Sequence, residues 1–263
     1  MSKPIIKKLK KDTIAKIVAV VNNKGGVGKT SSVINIASKL ANEKLRVLVV
    51  DLDQQSNAAG NCGIDEDNLD YTSFELLALD EVTAEDCIFQ TEKGFDIISG
   101  SINLANITSV LAVKMNREKI LYKKFKTIME KYDYIILDCP ASFDVTTMNA
   151  LAIANLALIP LTLHKFSVKG INNILNFINV IKAEYNENLE HKFFATQFDG
   201  RINSFKKIDS SLREALETDF LKTKIRLDNQ IKEAQNEDKT VFEIKNCKGS
   251  EDYASLVKEV FGV

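Results

Sequence analysis

One stretch constrains the chain more than any other: Asn22-Asn23-Lys24-Gly25-Gly26-Val27-Gly28-Lys29-Thr30. It follows the apolar, β-branched run Ile17-Val18-Ala19-Val20-Val21 and precedes Val33, Ile34, Ile36, Ala37, Leu40 and Ala41, which recur at helical spacing. Strand, glycine loop and helix in that order is the context a phosphate-binding loop requires. Glycines let successive N–H groups turn to one side with no Cβ in the way. Together with a helix N-terminus those groups make a cradle for an anion. On this reading Gly25, Gly26, Val27, Gly28, Lys29, Thr30 and Ser31 hold a nucleotide. Lys29 reaches the β- and γ-phosphates and the Thr30 hydroxyl binds Mg²⁺.

A second acidic element supports the first. Tyr134-Ile135-Ile136-Leu137-Asp138 is an apolar strand ending in a carboxylate, the form of a Walker B motif, with Asp138 holding Mg²⁺ through water. Between the two lies Arg46-Val47-Leu48-Val49-Val50-Asp51-Leu52-Asp53-Gln54-Gln55-Ser56-Asn57, a buried strand ending in two aspartates at alternate positions. Further strands are expected at Phe95–Ile98, Asn155–Leu161 and Lys192–Phe198. Helical spacing marks 74–79, 102–111, 121–129, 171–181 and 253–261. Strands alternating with helices predict an α/β fold, a mostly parallel twisted sheet with helices on both faces. The ligand is expected at the carboxyl ends of the strands.

With 263 residues, three prolines and no low-complexity linker, one domain over 17–263 is expected, preceded by a basic tail over 1–16. In that tail six lysines face one aspartate. It reads as a solvated arm, with contact to DNA or an anionic membrane as the second reading. The formal net charge is −1, so a nucleic-acid surface must be a local patch. Four scattered cysteines and two isolated histidines show no zinc spacing and imply reduced thiols. No run approaches a membrane span and no signal-peptide core is present, so a cytoplasmic protein is expected.

The string Lys24-Gly25-Gly26-Val27-Gly28-Lys29-Thr30 has Asn23 where the standard phosphate loop has its first glycine, and a lysine directly before the glycine pair. It resembles the deviant Walker A motif of the ParA/MinD group of P-loop ATPases, and the Asp51–Asn57 string resembles that group's Asp-x-Asp-Pro-Gln-Gly-Asn signature. Gln54 stands in place of the usual proline and Ser56 in place of the usual glycine. The resemblance to ParA/Soj-type partition ATPases implies a definite mechanism. ATP and Mg²⁺ drive two subunits into a sandwich homodimer, with Lys24 crossing to the partner's nucleotide. Asp53 orients the attacking water and Asp51 lies near the Mg²⁺ shell. The dimer binds double-stranded DNA without sequence preference on the nucleoid, and a ParB-like centromere-binding protein stimulates hydrolysis.

Thr196, Asp199 and Arg201 match the family's Thr-x-x-Asp-x-Arg element, which is equally a local Asp–Arg turn. Lys222, Lys224 and Arg226 are the expected DNA contacts, beside a segment whose usual arginine is Gln230 here. A solvated mixed-charge surface is the other reading of the same residues. Two other classes remain open. One is a MinD-like membrane-associated positioning ATPase, which the lysine-poor terminal stripe Tyr253 to Phe261 disfavours. The other is a metabolic P-loop enzyme such as nitrogenase reductase or dethiobiotin synthetase. A bacterial tyrosine kinase would need a terminal tyrosine cluster, which is absent.

Overall fold

The computed structural model describes residues 14–65, 68–163 and 167–263, with only the backbone described for 167–169. Strands β1 (Lys16–Val20), β2 (Val47–Asp51), β3 (Phe89–Gln90), β4 (Asp96–Ile98), β5 (Tyr134–Asp138), β6 (Leu156–Thr162), β7 (Glu190–Phe198) and β8 (Phe220–Arg226) form one sheet. Its order is β3-β4-β2-β5-β1-β6-β7-β8. All neighbours are parallel except the short β3–β4 pair. The mostly parallel α/β expectation therefore holds. β1 begins at Lys16, and the Ala15 N–H already donates to the Met129 carbonyl. Of the tail expected over 1–16, residues 1–13 lie outside the described residues.

The central strands are apolar on both faces because both faces are covered. Ile17, Ala19 and Val21 pack into one core with Ile135 and Leu137. Val18 and Val20 pack into the other with Val47, Val49 and Ile136. The first core is closed by α3 (Ser73–Ala78), α4 (Ile107–Leu111), α5 (Ile120–Phe125), α6 (Val145–Ile153), α7 (Ser167–Glu184) and α8 (Asn203–Leu216). The second is closed by α1 (Lys29–Asn42), α2 (Asn57–Gly60), α9 (Asn229–Asn236) and α10 (Lys248–Phe261).

Three sequence expectations change. The stripe over 102–111 is split into a 3₁₀ turn, Ile102–Asn106, and α4. The stripe over 121–129 is helical only to Phe125, after which tight turns carry Ile128 into the same core. Residues 220–226, read only for their charge, form the outermost strand β8.

The terminal stripe is core packing, as expected. Phe261 is fully buried and meets the Tyr134 ring edge-on, with centroids 5.1 Å apart. Truncating a buried phenylalanine removes its transfer free energy and leaves a cavity. Phe261→Ala is therefore expected to cost about 3–5 kcal/mol in urea unfolding. A loss under about 1 kcal/mol would mean that α10 is not part of the cooperative core.

Candidate active site

The glycine loop runs from the end of β1 into α1 and is pinned at its start by Asn22. That buried side chain donates to the Pro160 carbonyl at 2.8 Å and accepts the Lys24 N–H at 2.9 Å. Gly26 and Gly28 have φ of 70° and 86°, the left-handed region where a side chain is strained. Gly28 occupies the N-cap position of α1, so no side chain caps the helix. Its first-turn N–H groups remain for an anion. Two loop carbonyls are held from the end of β7, two strands away from β1. Thr196 Oγ1 donates to the Val27 carbonyl at 2.8 Å, and Gln197 Nε2 donates to the Gly26 carbonyl at 2.7 Å. Gln235 Nε2 donates to Ser31 Oγ at 2.6 Å.

The acidic residues divide by environment. Asp51 and Asp138 face each other as register partners on β2 and β5. Asp51 is fully buried, and its two oxygens accept the Asp53 and Ala58 N–H groups at 2.9 and 3.0 Å. Asp51, expected near the Mg²⁺ shell, thus has both oxygens engaged by backbone N–H groups. Its carboxylate anchors the loop after β2, and it does not line the cleft. Burial and the neighbouring Asp138 push its proton affinity well up. Asp138 is buried as well, but neither of its oxygens has a hydrogen-bond partner among the described residues. Burial raises its pKa, and the neighbouring Thr30 hydroxyl and Lys29 ammonium oppose that rise. An orphaned buried carboxylate beside a hydroxyl fits a hard cation with oxygen ligands. The described residues hold no cluster of three or more His, Cys, Asp or Glu side chains arranged for a metal. Thr30 and Asp138 would thus share a cation with water and phosphate oxygens, as Mg²⁺ prefers.

A cleft of about 590 Å³ opens beside these groups, and Asp138, like Asp51, lies behind its lining. Gly25, Gly26, Gly28, Lys29, Thr30, Ser31 and Asp53 line it, as do Asp144, Gln197 and Gln235. Lys29 and Lys24 separate. Lys29 is nearly buried in the cleft wall, whereas Lys24 is exposed outside it and reaches Thr162 Oγ1 at 3.3 Å. Asp53 is half-exposed at the cleft, positioned by its N–H on Asp51.

Sequence reasoning missed Gly100, Asp144, Gln197 and Gln235. Asp144 caps α6 by accepting the Thr146 and Thr147 N–H groups. A Cβ on Gly100 would stand 2.6 Å from the Asp53 carbonyl oxygen and 3.1 Å from Asp51 Cγ. A glycine between strand-end loops carries no motif, so nothing in the sequence singled it out.

The expected DNA triad is not a free patch. Lys224 Nζ lies 2.6 Å from Asp209 Oδ2, and Arg226 makes a two-pronged pair with Asp252. Lys222 is exposed. The Asp199–Arg201 pair closes a turn, with nitrogen–oxygen distances from 2.7 Å. Arg201 holds Asp199 down at a pKa of about 2.

With this geometry in hand, the chain can be set beside known proteins. The family described as an AAA domain (AAA_31) matches residues 15–191. Chromosome partitioning protein ParA of Myxococcus xanthus is 31% identical over 252 residues, covering 94% of this chain and 88% of that protein. Sporulation initiation inhibitor protein Soj of Bacillus subtilis is 30% identical over 249 residues, covering 94% and 98%. The chain belongs to the ParA/Soj family of P-loop ATPases. Among solved structures, cobyrinic acid a,c-diamide synthase of Mycobacterium smegmatis with bound ADP and magnesium superposes with a TM-score of 0.82. It is 26% identical and covers 93% of each chain.

In this ParA/Soj member the loop after β2 turns at Ser56, which adopts φ 49° in the left-handed region. Its Oγ lies 3.3 Å from Ser99 Oγ. Gly100 is the residue that lets this turn pack. Gly100→Ala sets a Cβ against backbone, which cannot rotate aside, and is expected to cost about 1–3 kcal/mol. Urea unfolding together with titration of a fluorescent ATP analogue checks this. Unchanged stability and affinity would show that the turn gives way without consequence.

Proposed function

We propose that this chain is an ATP-dependent partition ATPase that moves plasmid or chromosomal DNA in the cytoplasm, associated with the nucleoid. The observation that carries the reading is the separation of the two loop lysines. Lys29 lies in its own cleft and Lys24 outside it, exposed. A lysine that leaves its own phosphate loop is available to a nucleotide in a second subunit. ATP binding then joins two copies face to face, each Lys24 completing the other's site. Gly25 to Ser31 would hold the phosphates, and Thr30 and Asp138 would hold Mg²⁺, which would supply positive charge against the phosphates. Asp53, fixed through Asp51, orients the attacking water at the cleft mouth. A ParB-like centromere-binding protein stimulates hydrolysis, which returns the dimer to monomers.

No helix among the described residues is long and apolar enough to cross a membrane. The DNA surface lies in the last third but not on the ion-paired residues. Lys206, Lys207, Lys222 and Lys232 are exposed, whereas Lys224 and Arg226 neutralise Asp209 and Asp252.

Lys24→Ala is expected to bind ATP within about threefold of the unaltered chain while losing partner-stimulated phosphate release, because its ammonium acts from the other subunit. Asp53→Ala is expected to hold an ATP-bound dimer in light scattering, because water is no longer oriented while the phosphate loop still grips the nucleotide. Equal loss of binding and turnover in Lys24→Ala would remove the crossing role.

DNA retention should require ATP and ignore base sequence. The combined change of Lys206, Lys207 and Lys232 to alanine should flatten the slope of log affinity against log salt by about 0.9 for each phosphate that is no longer neutralised. Changing Lys224 and Arg226 instead should lower stability more than DNA affinity. Absence of ATP-dependent DNA retention in the unaltered chain would turn the reading toward a metabolic ATPase.

A further inference from the structure

The end of β7 carries a backbone conformation that a strand residue does not normally adopt. Gln197 has φ 52°, inside an element that is extended on either side. The pairing of β7 with β8 is irregular at the same place, shifting register between Ala195 and Phe198. A left-handed glutamine is disfavoured by its own Cβ, and such residues persist only where the surroundings determine them.

What this conformation achieves can be read from the strand's alternation. Successive side chains of a strand point to opposite faces. Phe194 lies in the α1-side core and Ala195 in the opposite one. Thr196 therefore returns to the α1 side, where its hydroxyl donates to the Val27 carbonyl at 2.8 Å. An extended Gln197 would turn away from the loop. The left-handed turn brings it back, and its amide donates to the neighbouring Gly26 carbonyl at 2.7 Å. Two consecutive residues of β7 thus hold two consecutive carbonyls of the glycine loop. A peptide is planar and trans, so its C=O and N–H point in opposite directions. Fixing the Gly26 carbonyl fixes the Val27 N–H, and fixing the Val27 carbonyl fixes the Gly28 N–H. Gly26 itself has no Cβ to stop its peptides from turning over.

We propose that Gln197 is a positioning residue for nucleotide binding. Through its side-chain amide, it keeps a peptide plane of the phosphate loop in the orientation that presents N–H to phosphate. The backbone strain at 197 is the structural cost of that hydrogen bond. The inference rests on the nucleotide-binding reading of the cleft given above.

The test separates side chain from backbone. Gln197→Gly removes the amide and relieves the left-handed conformation. Gln197→Met keeps the length and the strained backbone but has no donor. Each full-length variant is titrated with a fluorescent ATP analogue, melted thermally and assayed for KM and kcat.

Both variants are expected to bind ATP about three- to tenfold more weakly, the range for loss of one hydrogen bond. Gln197→Gly should melt at or above the temperature of the unaltered chain, and Gln197→Met below that of Gln197→Gly. KM should rise with kcat little changed, since the interaction serves binding and is not confined to the transition state. A merely structural role would make affinity follow melting temperature, so that Gln197→Gly binds as well as the unaltered chain. That result, or undiminished affinity in Gln197→Met, overturns the inference while leaving the nucleotide site intact. Failure of the unaltered chain to bind ATP at all would overturn the underlying reading, and the positioning role with it.

Discussion

The register of three parallel strands determines where each chemical group of this molecule can sit. Val20 of β1 and Asp51 of β2 both pair with Asp138 of β5. The glycine loop, the loop after β2 and the end of β5 therefore leave the sheet at one level. The pairing continues past the strands: the Cys139 N–H donates to the Val20 carbonyl and the Leu52 N–H to the Asp138 carbonyl. Side chains alternate along a strand, so a slip of one residue would turn Asp138 to the opposite face. It would also drive Ile136 and Leu137 into the wrong cores. The hydrophobic pattern that makes the sheet thus also sets the spacing of the site.

That register brings two carboxylates into the interior, and the protein treats them differently. Asp51 receives two backbone N–H groups, which offset part of the cost of its burial and turn it into a brace for Asp53 and α2. Asp138 receives none. Burying a carboxylate's charge is costly, and the neighbouring Thr30 hydroxyl and Lys29 ammonium supply only part of the compensation. The site is therefore incomplete in electrostatic terms as a protein alone. It favours arrival of positive charge at Asp138 and of negative charge at Lys29 and the first turn of α1. A divalent cation carried with a polyphosphate brings both together.

Much of this was legible in the sequence because the chemistry sits on short, contiguous strings. Gly25 to Thr30, Asp51 to Asn57 and Tyr134 to Asp138 each carry their own strand or loop context, so both their types and their places could be read. Roles that depend on a partner far along the chain could not. Asp51 and Asp53 look alike in sequence, and only the Ala58 N–H and the Gly100 approach show that one braces and the other faces the cleft. Gln197 lies beside Thr196, which a motif marked, but its reach to Gly26 depends on a backbone turn that no propensity encodes. The stripes over 102–111 and 121–129 were read as single helices because 3₁₀ and tight turns can bury the same residues as an α-helix.

The ion pairs of the basic residues of β8 were not legible in the sequence for a related reason, which lies in how a sheet ends. β8 is an edge strand, and its outward N–H groups need partners. The N–H groups of Lys222 and Thr223 donate to the Glu259 carboxylate, and that of Arg226 donates to Asp252. Covering the edge with acidic side chains of α10 brings negative charge alongside Lys222, Lys224 and Arg226. Arg226 then closes on Asp252, and Lys224 turns to Asp209 of α8. The charges of Lys224 and Arg226 are thereby engaged in ion pairs within the fold. The last third, beyond the residues that match the family domain, also supplies Thr196, Gln197 and Gln235 to the glycine loop. It closes the sheet at one side and braces the phosphate loop at the other, which leaves the exposed lysines of α8 and α9 to present charge outward.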